Sequence, residues 1–147
     1  MLERSIVLAS AIVMLLVCPV IAAGDGLVSE DNGGYVVKSG VLCKSDDNMR
    51  TVYSSISQGE TNWHYKQVSS STNVLNINLN WGNPSNSLSL KIYTADGEIL
   101  GPYYDNADGR TDGKISLSIT NPDGIASGRW DYKVYGYSVS GTEDYSI

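Results

Sequence analysis

The sequence predicts an all-β fold: an antiparallel, jelly-roll-like β-sandwich of about seven or eight strands behind an N-terminal signal helix. Three observations predict it. Apolar and polar residues alternate with period two in one short run after another, and Gly, Asn, Asp and Pro punctuate the runs. Beyond residue 34 no segment keeps a helical period over ten or more residues.

The chain opens on Glu3 and Arg4, followed by the apolar stretch Ser5 to Ala23, with Pro19 and then Ala22-Ala23 before Gly24-Asp25-Gly26. A charged start, an apolar middle and a small-residue exit describe a secretory signal over residues 1–23. The rival is an uncleaved membrane anchor, and a lipoprotein reading at Cys18 is disfavoured by bulky Val17 before it. Removing the signal takes one cation and one anion, so the charge balance is unchanged. Cys18 leaves with it, so Cys43 has no intrachain partner and reads as a small buried hydrophobe. Residues 24–34, polar and rich in Gly, read as a flexible linker, and residues 35–147 as the sandwich domain.

Within that domain Tyr35-Val36-Val37 and Val41-Leu42-Cys43 are the first candidate strands. Trp63 to Val68 alternates, with Trp63 and Tyr65 on one face. Leu75, Ile77, Leu79 and Trp81 alternate with Asn76, Asn78 and Asn80, the pattern of a half-buried strand. Leu88, Leu90 and Ile92 oppose Ser89, Lys91 and Tyr93, and Asp96-Gly97 turns the chain into Glu98-Ile99-Leu100. Ile115, Leu117 and Ile119 oppose Ser116, Ser118 and Thr120. Asn121-Pro122-Asp123-Gly124 is a turn, since Pro presets φ and Gly supplies a positive one. Trp130, Tyr132 and Val134 then oppose Asp131, Lys133 and Tyr135, and Tyr145-Ser146-Ile147 closes the chain.

Composition excludes several functions. With 10 Lys+Arg against 16 Asp+Glu the net charge is −6, the wrong sign for neutralising phosphate, so no nucleic-acid partner is expected. One His and two Cys are too few for Cys/His zinc sites or iron–sulfur clusters. Without long helices between strands, Rossmann-type and TIM-barrel enzymes are excluded. His64 lies in a strand-like run with no nucleophile motif around it, so it reads as a strand histidine and no enzymatic activity is expected.

Three pieces in register suggest a family. They are Leu75 to Gly82, ending in Trp-Gly; Leu88 to Tyr93 followed by Ala95-Asp96-Gly97; and Gly128 to Gly136 followed by Gly141 and Tyr145. Over residues 58–147 this order resembles the bacterial and archaeal pre-peptidase C-terminal domain, and the chain is similar to a free-standing archaeal-type member. The resemblance implies a secreted β-sandwich, often appended to extracellular peptidases. Some collagenase-associated members bind calcium through acids before an early strand; of that set only Glu60 is retained here, with Glu30 and Asp31 in the preceding region.

The densest set of hard oxygens runs from Tyr104 to Gly113. Asp105, Asn106, Asp108 and Asp112, with the Arg110 carbonyl, are candidate calcium ligands, because calcium takes six to eight oxygens on a flexible loop. The competing reading is a polar hairpin loop whose Asp and Gly serve turn geometry. Among the aromatics, Trp81 and Trp130 sit at inward positions and read as core, leaving Trp63, Tyr103 and Tyr104 as candidate ligand contacts. The expected function is a secreted or cell-surface, non-catalytic binding or adhesion module, with a cell-surface polymer or an extracellular protein as partner. A membrane is involved only if the leader is kept. The alternatives are a carbohydrate-binding module, marked by an exposed aromatic row, and an accessory to an extracellular peptidase.

Overall fold

The structure is a computed structural model that describes residues 31–40 and 51–147. The expected signal, the Val41-Leu42-Cys43 strand, Cys43 and Glu30 lie outside the described residues. Ten strands and one 3₁₀ turn are present among the described residues. A six-stranded antiparallel sheet has the order β1 (Asp31–Asn32), β2 (Tyr35–Ser39), β8 (Lys114–Thr120), β5 (Val74–Asn80), β10 (Thr142–Ser146), β3 (Tyr53–Ser57). A four-stranded sheet has the order β4 (Thr61–Val68), β9 (Gly128–Ser138), β6 (Ser87–Tyr93), β7 (Ile99–Tyr103). Among the described residues no helix is long and apolar enough to cross a membrane.

The alternating runs form the core. Leu75, Ile77, Leu79 and Trp81 of β5 and its exit are buried, and they meet Ile119, Leu117 and Ile115 of β8 across the ladder. From the other sheet come Leu88, Leu90 and Ile92 of β6 and Trp130, Tyr132 and Val134 of β9. The polar rows Asn76, Asn78, Asn80 and Ser116, Ser118 pair with one another on the opposite face of the six-stranded sheet. Both predicted turns close as their residues dictate. Gly97 N–H donates to Thr94 O at 3.2 Å and Gly124 N–H to Asn121 O at 2.9 Å.

Two features differ from the sequence reading. The last four residues of the expected linker, 31–34, are structured: Asp31–Asn32 pairs with Tyr35–Val36 through a Gly33-Gly34 turn, and both glycines have positive φ. Asn32 Nδ2 also donates to Ile99 O at 2.9 Å, which ties this hairpin to the second sheet. The second feature is β3, which no alternation announces because Ile56 is its one buried residue. It forms by pairing along its full length with β10. β10 in turn meets β5 at one position only, Ser146 opposite Asn80.

Candidate functional site

Sheet alternation decides which residues share the outer face of the four-stranded sheet. In β4 the exposed residues are Thr61, Trp63, Tyr65 and Gln67, while Asn62, His64 and Lys66 point inward. Register places Trp63 opposite Lys133, Tyr65 opposite Asp131 and Thr61 opposite Tyr135 of β9. Across β9, Lys133 faces Lys91, Asp131 faces Tyr93 and Tyr135 faces Ser89 of β6. Trp63, Tyr65, Tyr93 and Tyr135 therefore converge on one surface, and Tyr137 continues it two residues further along β9.

The rings are ordered. Trp63 lies with its centroid 5.4 Å from that of Tyr93 although it is 57% exposed, and Tyr65 is 69% exposed. The Arg129 guanidinium sits 4.7 Å from the Tyr65 ring centre and is held there by Asp131, at 2.7 Å. At the far end Tyr104 meets Tyr137 edge-on at 4.9 Å. From the Tyr65 row to Tyr137 the strip runs six residues along β9, roughly 20 Å at strand rise. Lys91, Lys133, Asp131 and Gln67 supply polar groups between and beside the rings.

Of the candidate ligand contacts, Trp63 and Tyr104 belong to this strip. Tyr103 does not: its side chain is 2% exposed and lies opposite Leu90 in the core, because β7 turns it inward. Tyr93, Tyr135, Tyr137 and Arg129 are the residues that sequence reasoning did not single out. Alternation puts Tyr93 and Tyr135 on outward positions, but their convergence with Trp63 depends on β9 separating β4 from β6, a long-range arrangement.

The acidic loop has a different character. Asp105–Asp108 forms a 3₁₀ turn ended by Gly109 at φ 85. Asp105 is buried, and its Oδ1 accepts the backbone N–H groups of Asp112 at 3.2 Å, Gly113 at 3.0 Å and Lys114 at 3.1 Å. Asp108 accepts Arg110 N–H and Ser116 N–H, both at 3.2 Å. Burial pushes the Asp108 carboxyl above its ordinary value; those two N–H groups oppose the shift, and repulsion from Asp112 and Asp105 adds to it. Gly113 is required at the centre of this arrangement, since its φ is 78 and a Cβ there would lie 2.7 Å from Asn83 N. Among the described residues no group of three or more His, Cys, Asp or Glu side chains is placed to hold a metal ion.

His64 faces inward from β4, opposite Tyr132 in the ladder, and its Nε2 lies 2.7 Å from Tyr145 OH. Burial lowers its pKa below 6.5 and raises those of Tyr132 and Tyr145. Because the folded value is depressed, His64 contributes stability that is present above pH 6.5 and lost as pH falls through the folded value. In paired melting curves from pH 7.5 to 5, His64→Asn is expected to lose less melting temperature than the native chain. Parallel curves would remove His64 from the acid response.

No family model matches the chain, and no solved structure matches it. An uncharacterized protein of Archaeoglobus fulgidus is 45% identical over 49 residues, which cover 33% of this chain and 68% of that protein.

Proposed function

Because the chain belongs to the family of that Archaeoglobus fulgidus protein, a relative that brings no activity with it, we propose a function from the geometry: a non-catalytic, extracellular binding module that docks a carbohydrate polymer on its aromatic sheet face. The observation that carries this reading is the strip of exposed Trp63, Tyr65 and Tyr137 with half-buried Tyr93 and Tyr135 on one sheet face, where Trp63 meets Tyr93, Tyr104 meets Tyr137 and Arg129 stacks on Tyr65. A monomeric surface rarely leaves so much contiguous aromatic area in water without a partner. Rigid aromatic rings offer large contact area at low entropy cost, and the flanking Lys, Asp and Gln side chains suit hydroxyl groups. The leader-like residues 1–23 and the resemblance to pre-peptidase C-terminal domains support an extracellular setting. Action beside a peptidase rests on that resemblance alone.

Glycan-array binding and pull-down on insoluble polysaccharides test this reading. Trp63→Ala is expected to weaken binding about tenfold or more, as a central aromatic anchor does. Tyr53→Ala, on a still more exposed ring of the other sheet, should leave it unchanged. Absence of glycan binding, or equal binding by Trp63→Ala, would sink the reading. Calcium is proposed as an added stabiliser of the 105–112 loop, on the ground that a cation would relieve the repulsion that Asp112 and Asp105 exert on Asp108.

A further inference from the structure

The sandwich is open along one side, and two strand edges face the opening. β4 ends its sheet, and β5 pairs beyond β8 only at Asn80. Gly136 N–H donates to Glu60 O at 3.0 Å while Thr61 stands opposite Tyr135. Thr61 is therefore a non-hydrogen-bonded ladder residue whose own N–H and C=O turn away from β9. At a two-residue period the same holds for Trp63, Tyr65 and Gln67.

On β5, Trp81 N–H donates to Gly113 O at 2.9 Å while Asn80 stands opposite Lys114. The backbone groups of Asn80, Asn78 and Asn76 therefore turn away from β8. Asn80 meets Ser146; among the described residues no strand pairs with Asn78 or Asn76 on the side away from β8. Trp63, Tyr65, Gln67, Asn76 and Asn78 line one groove of about 680 Å³. Tyr132 also lines it and is 5% exposed, and its hydroxyl has no hydrogen-bond partner, nor has Asn78 Oδ1.

We infer that this groove is a binding site for an extended polypeptide segment of a partner protein, which adds as a strand to the β4 edge. The walls present main-chain donors and acceptors at every second residue, and an extended chain carries the same repeat, alternately to its left and right. A sugar polymer has no main-chain N–H and C=O groups to pair with these, so the groove suits a different ligand from the aromatic strip, with which it shares the β4 residues Trp63, Tyr65 and Gln67. The segment places a side chain with an oxygen acceptor toward the Tyr132 hydroxyl.

The test pans the full chain against a displayed library of short linear peptides and maps amide exchange with the selected peptide bound. Protection is expected at Trp63, Tyr65 and Gln67. Gln67→Pro removes an edge donor that β9 does not use, a position where a strand tolerates proline. It should weaken the peptide about tenfold, the size of one lost hydrogen bond with its partner left unpaired, while Gln67→Ala should not. If Gln67→Pro does not fold, N-methylation of the peptide at successive residues replaces it, and binding should fail at alternate positions only. Failure to select any peptide, protection elsewhere, or loss without alternation would overturn the inference. Concentration-dependent protection of β4 without peptide would overturn it in favour of a second copy of this chain. Glycan binding by the same preparations is read separately, so loss of one activity does not decide the other.

Discussion

Trp130→Ala is expected to destabilise the domain by about 3–5 kcal/mol, the range for removing a large aromatic from a packed interior. Trp130 is fully buried in β9 and meets Tyr35 edge-to-face at 5.5 Å. Its Nε1 donates to Ala126 O at 2.8 Å, so truncation leaves that carbonyl without this donor as well as opening a cavity. Tyr35 is itself fixed at its far end, where its hydroxyl donates to the Asp96 carboxylate at 2.9 Å and accepts Ala126 N–H at 3.3 Å. One side chain therefore orders the β2 start, the 94–98 turn and the entry to β9. Urea unfolding followed by circular dichroism checks the value. Because domains of this kind hold only about 5–15 kcal/mol in all, a loss under about 1 kcal/mol would contradict the packing described.

The second large effect is expected at Asp105. Asp105→Ala removes charge-assisted hydrogen bonds to three successive N–H groups and leaves Gly113 N–H buried without its acceptor, at a cost of about 3 kcal/mol. Asp105→Asn keeps one oxygen and loses the charge, and should cost about half as much. The same thermal melts decide the calcium proposal. A rise in melting temperature at millimolar calcium that Asp108→Ala abolishes would carry it. An unchanged melt would mark the loop as a purely internal tie between the 3₁₀ turn and β8.

Most of the architecture was legible because burial of apolar side chains imposes period two on a half-buried strand. The runs at Leu75–Trp81, Leu88–Ile92, Ile115–Ile119 and Trp130–Val134 each carried that period, and each is a strand with the expected face inward. Alternation names two faces without saying which is inside. In β4 the aromatic residues Trp63 and Tyr65 are outside and the polar Asn62, His64 and Lys66 inside, the reverse of simple transfer preference. That reversal is where the candidate site lies, and adjacency of β4, β9 and β6 is a product of the whole fold. β3 escaped notice for a related reason. Tyr53-Ser54-Ser55-Ile56-Ser57 buries one side chain and owes its conformation to β10. The acidic loop was legible in composition, whereas the direction of Asp105, inward onto its own backbone, was not.

The single meeting of β10 with β5 has an energetic consequence. Rows of ladder bonds join β8 to both β2 and β5, whereas the β3–β10 ribbon has one ladder position on β5 and is otherwise tied by side chains: Asn62 Nδ2 donates to Ser55 O at 2.8 Å, Asn83 Nδ2 and Asn86 Nδ2 donate to Glu143 Oε2, His64 meets Tyr145, and Ile56 and Tyr145 are buried in the core. With a single main-chain ladder position on its neighbour, the ribbon is expected to open at a lower free energy than the β2–β8–β5 body, a difference that amide exchange reads. His64, whose imidazole is held below its ordinary pKa by burial, meets Tyr145 at that junction, so acid is expected to act there first.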